Sequence, residues 1–457
     1  MRQIFLKELQ PYTIPELKEK LREVPDFESA LKELQDRKIL KKREDKRFSF
    51  EFVGVLIIKG LVVFCLPKFI EISDEQAVIK QLLILFREYS KRENLDQDDI
   101  ESLGNVENNT NYNILSLIIY LISDYIENGL YSNEKSIHIL MGENEINWQK
   151  TIDEFQPIFN GVTPFYLEYY TNATLQDEEN YFRLLHQFVL NECTVILNRT
   201  GLQEYLGFEP VHFEVNDDVF GTPQDILSRI QNELNLQFVN RKQMVLKALH
   251  SFISREQMEQ ECLLISFYGT RKFEIVWEKT CSYILNNEYP ELKKHIDKPN
   301  WITTTGITHQ ANTLIPDIIS IYRSERNYFI ISDAKYYFIM LTDRELRFQP
   351  GVEDITKQYL YQLAFTKYIQ QNQMHEIRNV LLFPSEHNEV QQIGKVNIGF
   401  LQALQLEDIL LIKLPAQKIF DLYIRNRRLN LKWFINNFLK NVPLEQDSLP
   451  SNASVEM

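Results

Sequence analysis

The chain has 457 residues, of which 44% are hydrophobic, 12% aromatic and 25% charged. That composition excludes long disorder, and the length favours two or three domains over one core. Fifty Lys and Arg face 64 Asp and Glu, a formal net charge of -14, so the surface as a whole does not grip phosphates and any nucleic-acid contact must be local or shared with a partner.

The opening "MRQIFLKELQPYT" has no basic region followed by an apolar core and cleavage site, so no secretory signal is expected. Cys65, Cys193, Cys262 and Cys281 lie far apart without Cys-x-x-Cys spacing, which excludes a zinc knuckle, a redox motif and a disulfide framework and fits a reducing cytoplasm.

Thr13 and Glu16 have capping-box spacing ahead of "IPELKEKLRE", with Pro15 in the tolerated first turn. Asp26 can cap a second helix whose Phe27, Ala30, Leu31 and Leu34 share a face. Then "RKILKKREDKR", Arg37 to Arg47, places seven basic residues against two acidic ones. "FSFEFVGVLIIKGLVVFCLPKF" reads as a strand, a tight Lys59-Gly60 turn and a second strand. Two helices, a basic segment and a strand pair give the order of a winged-helix-like module over residues 1–72, in which Lys41, Lys42 and Arg43 are candidates for lying on DNA phosphates.

Residues 73–262 read as a mainly helical, acidic middle domain, with "ENLDQDDIE" (93–101) almost all acid. "NILSLIIYLISDYI", from Asn113, is too short to cross a bilayer and is expected to be a buried helix closed by Gly129; no membrane partner is expected. Trp148, Ile152 and Phe155 share helical spacing and are expected in the core.

From residue 263 to 442 the order is helix, strand, strand, helix, strand, then further strands and a last helix from Ala416 to Leu439. That order predicts an α/β domain built on a mixed sheet flanked by helices. Residues 443–457 read as a polar, frayed tail.

The candidate chemistry lies in this C-terminal part. In "TLIPDIISIYRSERNYFIISDAKYYF" strands Leu314 to Tyr322 and Tyr328 to Lys335 are joined by a polar turn, and a hairpin centred on Glu325 sets Asp317 opposite Asp333. Opposed like charges repel, and a divalent cation with hard oxygen ligands turns that repulsion into shared coordination. Strand alternation returns Lys335 to the face of Asp333. The preceding helix, "FEIVWEK", offers Glu274 or Glu278 as a further carboxylate, with Glu278 preferred. The following helix carries Gln358, Tyr361 and Gln362, candidates for binding a phosphate oxygen or orienting water, with Asp354 as its cap.

A Glu in a helix, then Pro-Asp, then Asp-x-Lys, then a Gln/Tyr helix resembles the PD-(D/E)xK nuclease superfamily. More narrowly, "FEIVWEK", "LIPDIISIY", "ISDAKYY" and "QPGVEDITKQYLYQLAF", with "FVGVLII" and "CLPKF" near the start, resemble the LlaJI family of restriction endonucleases. The resemblance implies Asp317, Asp333 and Glu278 as Mg²⁺ ligands, Lys335 as the catalytic lysine and Gln358 as the residue of the helix after the active strand. Asp333 stands where Glu is commoner. It further implies cleavage of unmethylated double-stranded DNA, a separate McrB-like nucleotide-hydrolysing subunit and a companion DNA methyltransferase. The chain has no G-x-x-x-x-G-K-[ST] phosphate loop of its own. A non-catalytic DNA-binding assembly subunit and a repair or defence nuclease outside restriction are the alternatives.

Overall fold

The computed structural model describes residues 1–58, 60–70, 75–93, 113–177, 179–256, 265–311, 313–404 and 406–440. Lys59, Cys262, the acidic run after Glu93 and the C-terminal tail lie outside the described residues. The chain divides into two compact units: Met1 with Glu107–Phe267, and Arg2–Val106 with Tyr268–Met457.

In the second unit, strand Arg2–Lys7, which sequence patterning does not announce, runs parallel to Leu61–Leu66, and Leu61–Leu66 pairs antiparallel with Val53–Ile58. The Thr13–Glu16 capping box opens helix Ile14–Lys20, and the Asp26 side chain accepts from the Ser29 amide to start helix Phe27–Asp36. The basic segment forms a separate hairpin, Leu40–Lys42 against Phe48–Phe50. The stretch read as one strand thus splits at Glu51, whose amide bonds to the Ile39 carbonyl. All but Ile57 of the two pieces is buried, so the run lacks the polar alternation that marks a break.

The same unit holds a five-stranded mixed sheet in the order Ile318–Tyr322, Tyr328–Ala334, Glu376–Ser385, Ile409–Pro415, Gln391–Val396. The middle three strands are mutually parallel, and each edge strand is antiparallel to its neighbour. One face carries Ile319, Ile321, Phe329 and Ile331, packed on Tyr361 and Phe365, and Leu381, Phe383, Ile409 and Leu411, packed on Ile355 and Tyr359. Helix Val352–Ala364 therefore covers this face. Each such buried side chain contributes about 1.5–3 kcal/mol. On the opposite face, Ser320 donates to the Leu285 carbonyl just past helix Phe273–Ile284, 2.6 Å away.

The expected last helix is interrupted. Helix Ala416–Ile424 ends before Asn426, which adopts φ 59°, and Asn430 caps a new turn by accepting from the Trp433 amide. Asn tolerates that left-handed backbone, so the chain turns there.

The first unit contains the expected buried helix, Ile114–Asn128, closed by Gly129 at φ 75°. Beside its helices it holds two antiparallel strand pairs, Glu134–Leu140 with Tyr170–Gln176 and Ile158–Asn160 with Thr163–Phe165. The core assignment for Trp148 and Ile152 is overturned: they form part of helix Trp148–Glu154 but are 54% and 57% exposed. The helix packs on strand Tyr170–Gln176, and the buried contact falls to Thr151, whose hydroxyl accepts from the Tyr170 amide at 3.0 Å. Phe155 stacks on Tyr170. Among the described residues no helix is long and apolar enough to cross a membrane, and Cys65, Cys193 and Cys281 are buried.

Candidate active site

The antiparallel hairpin pairs Tyr322 with Tyr328 and Ile318 with Ser332. The same register carries Asp317 across from Asp333 one step further on. Buried Pro316, which has no N–H for a ladder, precedes Asp317, and the strand begins at Ile318 rather than Leu314. Asn287, just past helix Phe273–Ile284, fixes this end: its Nδ2 donates to the Asp317 carbonyl at 2.9 Å and its Oδ1 accepts from the Ile319 amide at 2.9 Å. The Asp317 carboxylate accepts from the Ala334 amide at 3.1 Å.

Burial, a hydrogen bond to Asp333 and the charges of Asp333 and Glu278 together push the Asp317 carboxyl well above the usual carboxylate range. Asp333 is only 4% exposed. Lys335 Nζ lies 2.7 Å from Asp333 Oδ2 and 3.1 Å from Asp354 Oδ1. Burial works to lower the Lys335 pKa, but the two carboxylates outweigh it and the ammonium is held above its ordinary value.

Glu278 is half-buried on helix Phe273–Ile284, and Glu274 is exposed. Burial raises the Glu278 pKa, Lys279 opposes the rise, and Asp333 adds to it. Among the described residues no group of three or more His, Cys, Asp and Glu side chains is gathered into a metal cluster. The donor set is two opposed, hard carboxylates, and Mg²⁺ commonly uses one or two carboxylates, completing its shell with water and substrate phosphate. The residues present fit that ion.

The polar helix residues face inward. Gln358 is fully buried: its Nε2 donates to the Ile331 carbonyl at 2.9 Å and the Val380 carbonyl at 3.3 Å, and its Oε1 has no hydrogen-bond partner. Tyr361 donates to the Ile315 carbonyl at 2.9 Å, and Gln362 accepts from Asn379 at 2.6 Å. These groups hold the hairpin and sheet in place. Asp354 is no cap: Gly351 takes the N-cap position, and Asp354 sits in the first turn facing Lys335. Its spacing four residues before Gln358 was the available signal for that alignment.

Two further neighbours had no such signal. Tyr336, the residue after Lys335, donates to buried Glu8 at 2.5 Å, and Glu8 also accepts from the Lys68 amide at 3.2 Å. Lys68 Nζ lies 4.0 Å from the Tyr336 ring centroid. Nothing in local spacing links Tyr336 to Glu8, 328 positions away.

The basic hairpin is unevenly available. Lys41 pairs with Glu51 at 3.1 Å, and Arg43 is occupied by Ser49 Oγ at 3.0 Å and the Leu9 carbonyl at 2.6 Å. Lys42 is exposed.

The model for the family described as LlaJI restriction endonuclease matches residues 52–418. The chain is 32% identical over 403 residues to the type II restriction enzyme BsuMI component YdjA of Bacillus subtilis (strain 168), covering 83% of this chain and 81% of that protein. Among solved structures, a half-complex of Thermococcus gammatolerans McrB AAA+ hexamers with bound McrC is similar at 12% identity, covering 93% of this chain and 99% of that one, with a TM-score of 0.37. A second McrBC complex from the same organism has a TM-score of 0.23 at 11% identity, covering 55% of this chain and 79% of that one. No shared fold follows at those scores.

Proposed function

From the chain's membership of the LlaJI restriction endonuclease family, we propose that it is the Mg²⁺-dependent cleaving subunit of a multi-subunit restriction system, hydrolysing phosphodiesters of unmethylated double-stranded DNA. The observation that carries this reading is the convergence of Asp317, Asp333 and Lys335 on one face at the end of the hairpin. A buried carboxylate opposed by a half-buried one destabilises a fold unless positive charge offsets the repulsion.

Asp317 and Asp333 would hold the ion, with Glu278 adding negative charge beside them. Bound there, Mg²⁺ would supply positive charge to the scissile phosphate and to the departing oxygen. The protein's own part is orientation and charge. Lys335, kept protonated by Asp333 and Asp354, donates hydrogen bonds to the phosphate or to the attacking water and offsets charge in the pentavalent transition state. An ammonium so held orients water more readily than it deprotonates it. Gln358 and Tyr361 keep the two strands in register.

The Lys41–Lys42 hairpin is read as a wing on DNA phosphates. The relative from Bacillus subtilis is named as a component of a larger enzyme, which fits partners here: an McrB-like nucleotide-hydrolysing subunit and a companion methyltransferase, in the cytoplasm.

The test combines the purified chain with its partner subunits on methylated and unmethylated plasmid, with Mg²⁺ or with EDTA. Cutting is expected only of unmethylated DNA with Mg²⁺. Equal cutting of both plasmids would remove the restriction role, and undiminished cutting in EDTA would remove the metal site.

A further inference from the structure

Between helix Tyr289–Leu292 and Asp317 the chain projects a small ribbon, Asn300–Ile302 paired with Thr308–Gln310, in which Trp301 faces His309. All six strand residues are exposed, and Trp301, Ile302 and Ile307 are 64%, 69% and 58% exposed. A lone two-stranded hairpin that buries nothing is marginal in water, and large apolar side chains clustered in solvent mark a contact surface. The approach to the ribbon is basic in an otherwise acidic chain: Lys293, Lys294 and Lys298 are exposed there with a single acid, Asp297.

The root of the ribbon is fastened to the segment that delivers Asp317. Thr313 Oγ1 donates to the Asp297 carbonyl at 2.8 Å, and the next residues are held by Tyr361 at the Ile315 carbonyl and Asn287 at the Asp317 carbonyl. The seven residues from Gln310 to Asp317 reach at most about 25 Å. A duplex whose phosphate meets Asp317 and Asp333 therefore passes within reach of the ribbon. A major groove about 12 Å wide admits a two-stranded ribbon.

We propose that the Asn300–Gln310 ribbon enters a groove of the substrate duplex, with Trp301, Ile302 and Ile307 against base edges and Lys293, Lys294 and Lys298 on the flanking phosphates. The inference rests on the nuclease reading for the direction of the DNA, and it identifies the ribbon as a substrate-positioning element of that site.

The test uses the full chain carrying Asp333→Asn, alone and in the assembled system, with a labelled duplex at several salt concentrations. Lys293→Ala/Lys294→Ala/Lys298→Ala should weaken binding at least about tenfold near 0.1 M salt and flatten the slope of log K against log salt by about 2–3. Trp301→Ala/Ile302→Ala should weaken binding with the slope unchanged. Wild-type affinity and slope in both variants would overturn the proposal, as would a parent protein without DNA affinity. Loss of partner-subunit capture with DNA affinity intact would also overturn it, because the ribbon would then be a protein-docking surface. Two outcomes separate this proposal from the nuclease reading. If the complete system with Asp333 intact cuts normally when it carries either ribbon variant, the proposal fails and the nuclease reading stands; if the unmutated system never cuts but the lysine variant still loses DNA, the reverse holds.

Discussion

Asp317 faces Asp333 across the hairpin, one step beyond the Ile318–Ser332 pair, with the two carboxyls in hydrogen-bonding contact. Each is placed there by backbone: Asp317 by Asn287 and the Ala334 amide, Asp333 by parallel pairing of its strand with Glu376–Ser385. Asp333 is thus fixed within the sheet, and Asp317, one residue ahead of its strand, is fixed by hydrogen bonds to Asn287 and Ala334.

Asp354→Asn removes one of the two carboxylates that raise the Lys335 pKa. The basic limb of the cleavage pH–rate profile should move to lower pH. The rate should fall roughly tenfold, about 1.4 kcal/mol of transition-state stabilisation, with DNA affinity unchanged; an unshifted basic limb would show that Asp354 does not act through Lys335.

Gln358→Glu keeps the side-chain shape but replaces the amide donor facing the Ile331 and Val380 carbonyls. The loss should destabilise the fold by about 1–3 kcal/mol and reduce cleavage in parallel. Denaturant melts of the variant and of Gln358→Leu check this, and wild-type midpoints in both would contradict it.

Tyr336→Phe strands the buried Glu8 carboxyl without its hydroxyl donor. Burial already raises the Glu8 pKa, with the Tyr336 hydrogen bond opposing. A cost of about 1–3 kcal/mol is expected. In a double-mutant cycle with Glu8→Gln the two costs should not add, by about 0.5 kcal/mol or more; simple additivity would deny the coupling.

His186 is fully buried in the other unit, its Nδ1 accepting from the Tyr131 amide at 3.0 Å and its Nε2 without a partner. Burial pulls its pKa from 6.5 down to about 4; Asp124 opposes the fall, and Arg241 and Arg183 reinforce it. As pH drops, the unfolded chain takes the proton first. The contribution to stability is then full above pH 6.5 and lost progressively toward about 4, roughly 3 kcal/mol at most. His186→Gln, which keeps an acceptor for Tyr131, should flatten that part of the stability profile; an unchanged pH dependence would rule the group out.

Much of the site was legible because it is local. The turn at Glu325 and the alternation around it fix the register of Asp317 and Asp333, and the Thr13–Glu16 and Asp26 caps are read from neighbouring residues. The Tyr336–Glu8 contact depends on tertiary packing and leaves no periodic trace. Trp148 and Ile152 misled because helical spacing reports a shared face and not what, if anything, covers it. The last helix broke at Asn426, where a left-handed residue overrides an apolar pattern that continues on both sides.

The most direct test of the central claim is cleavage of unmethylated plasmid by the complete Mg²⁺-supplied system in which this chain carries Asp333→Asn. The account predicts that cutting falls by at least about a hundredfold with the complex assembled and DNA still bound. Cutting at the wild-type rate would place the chemistry elsewhere.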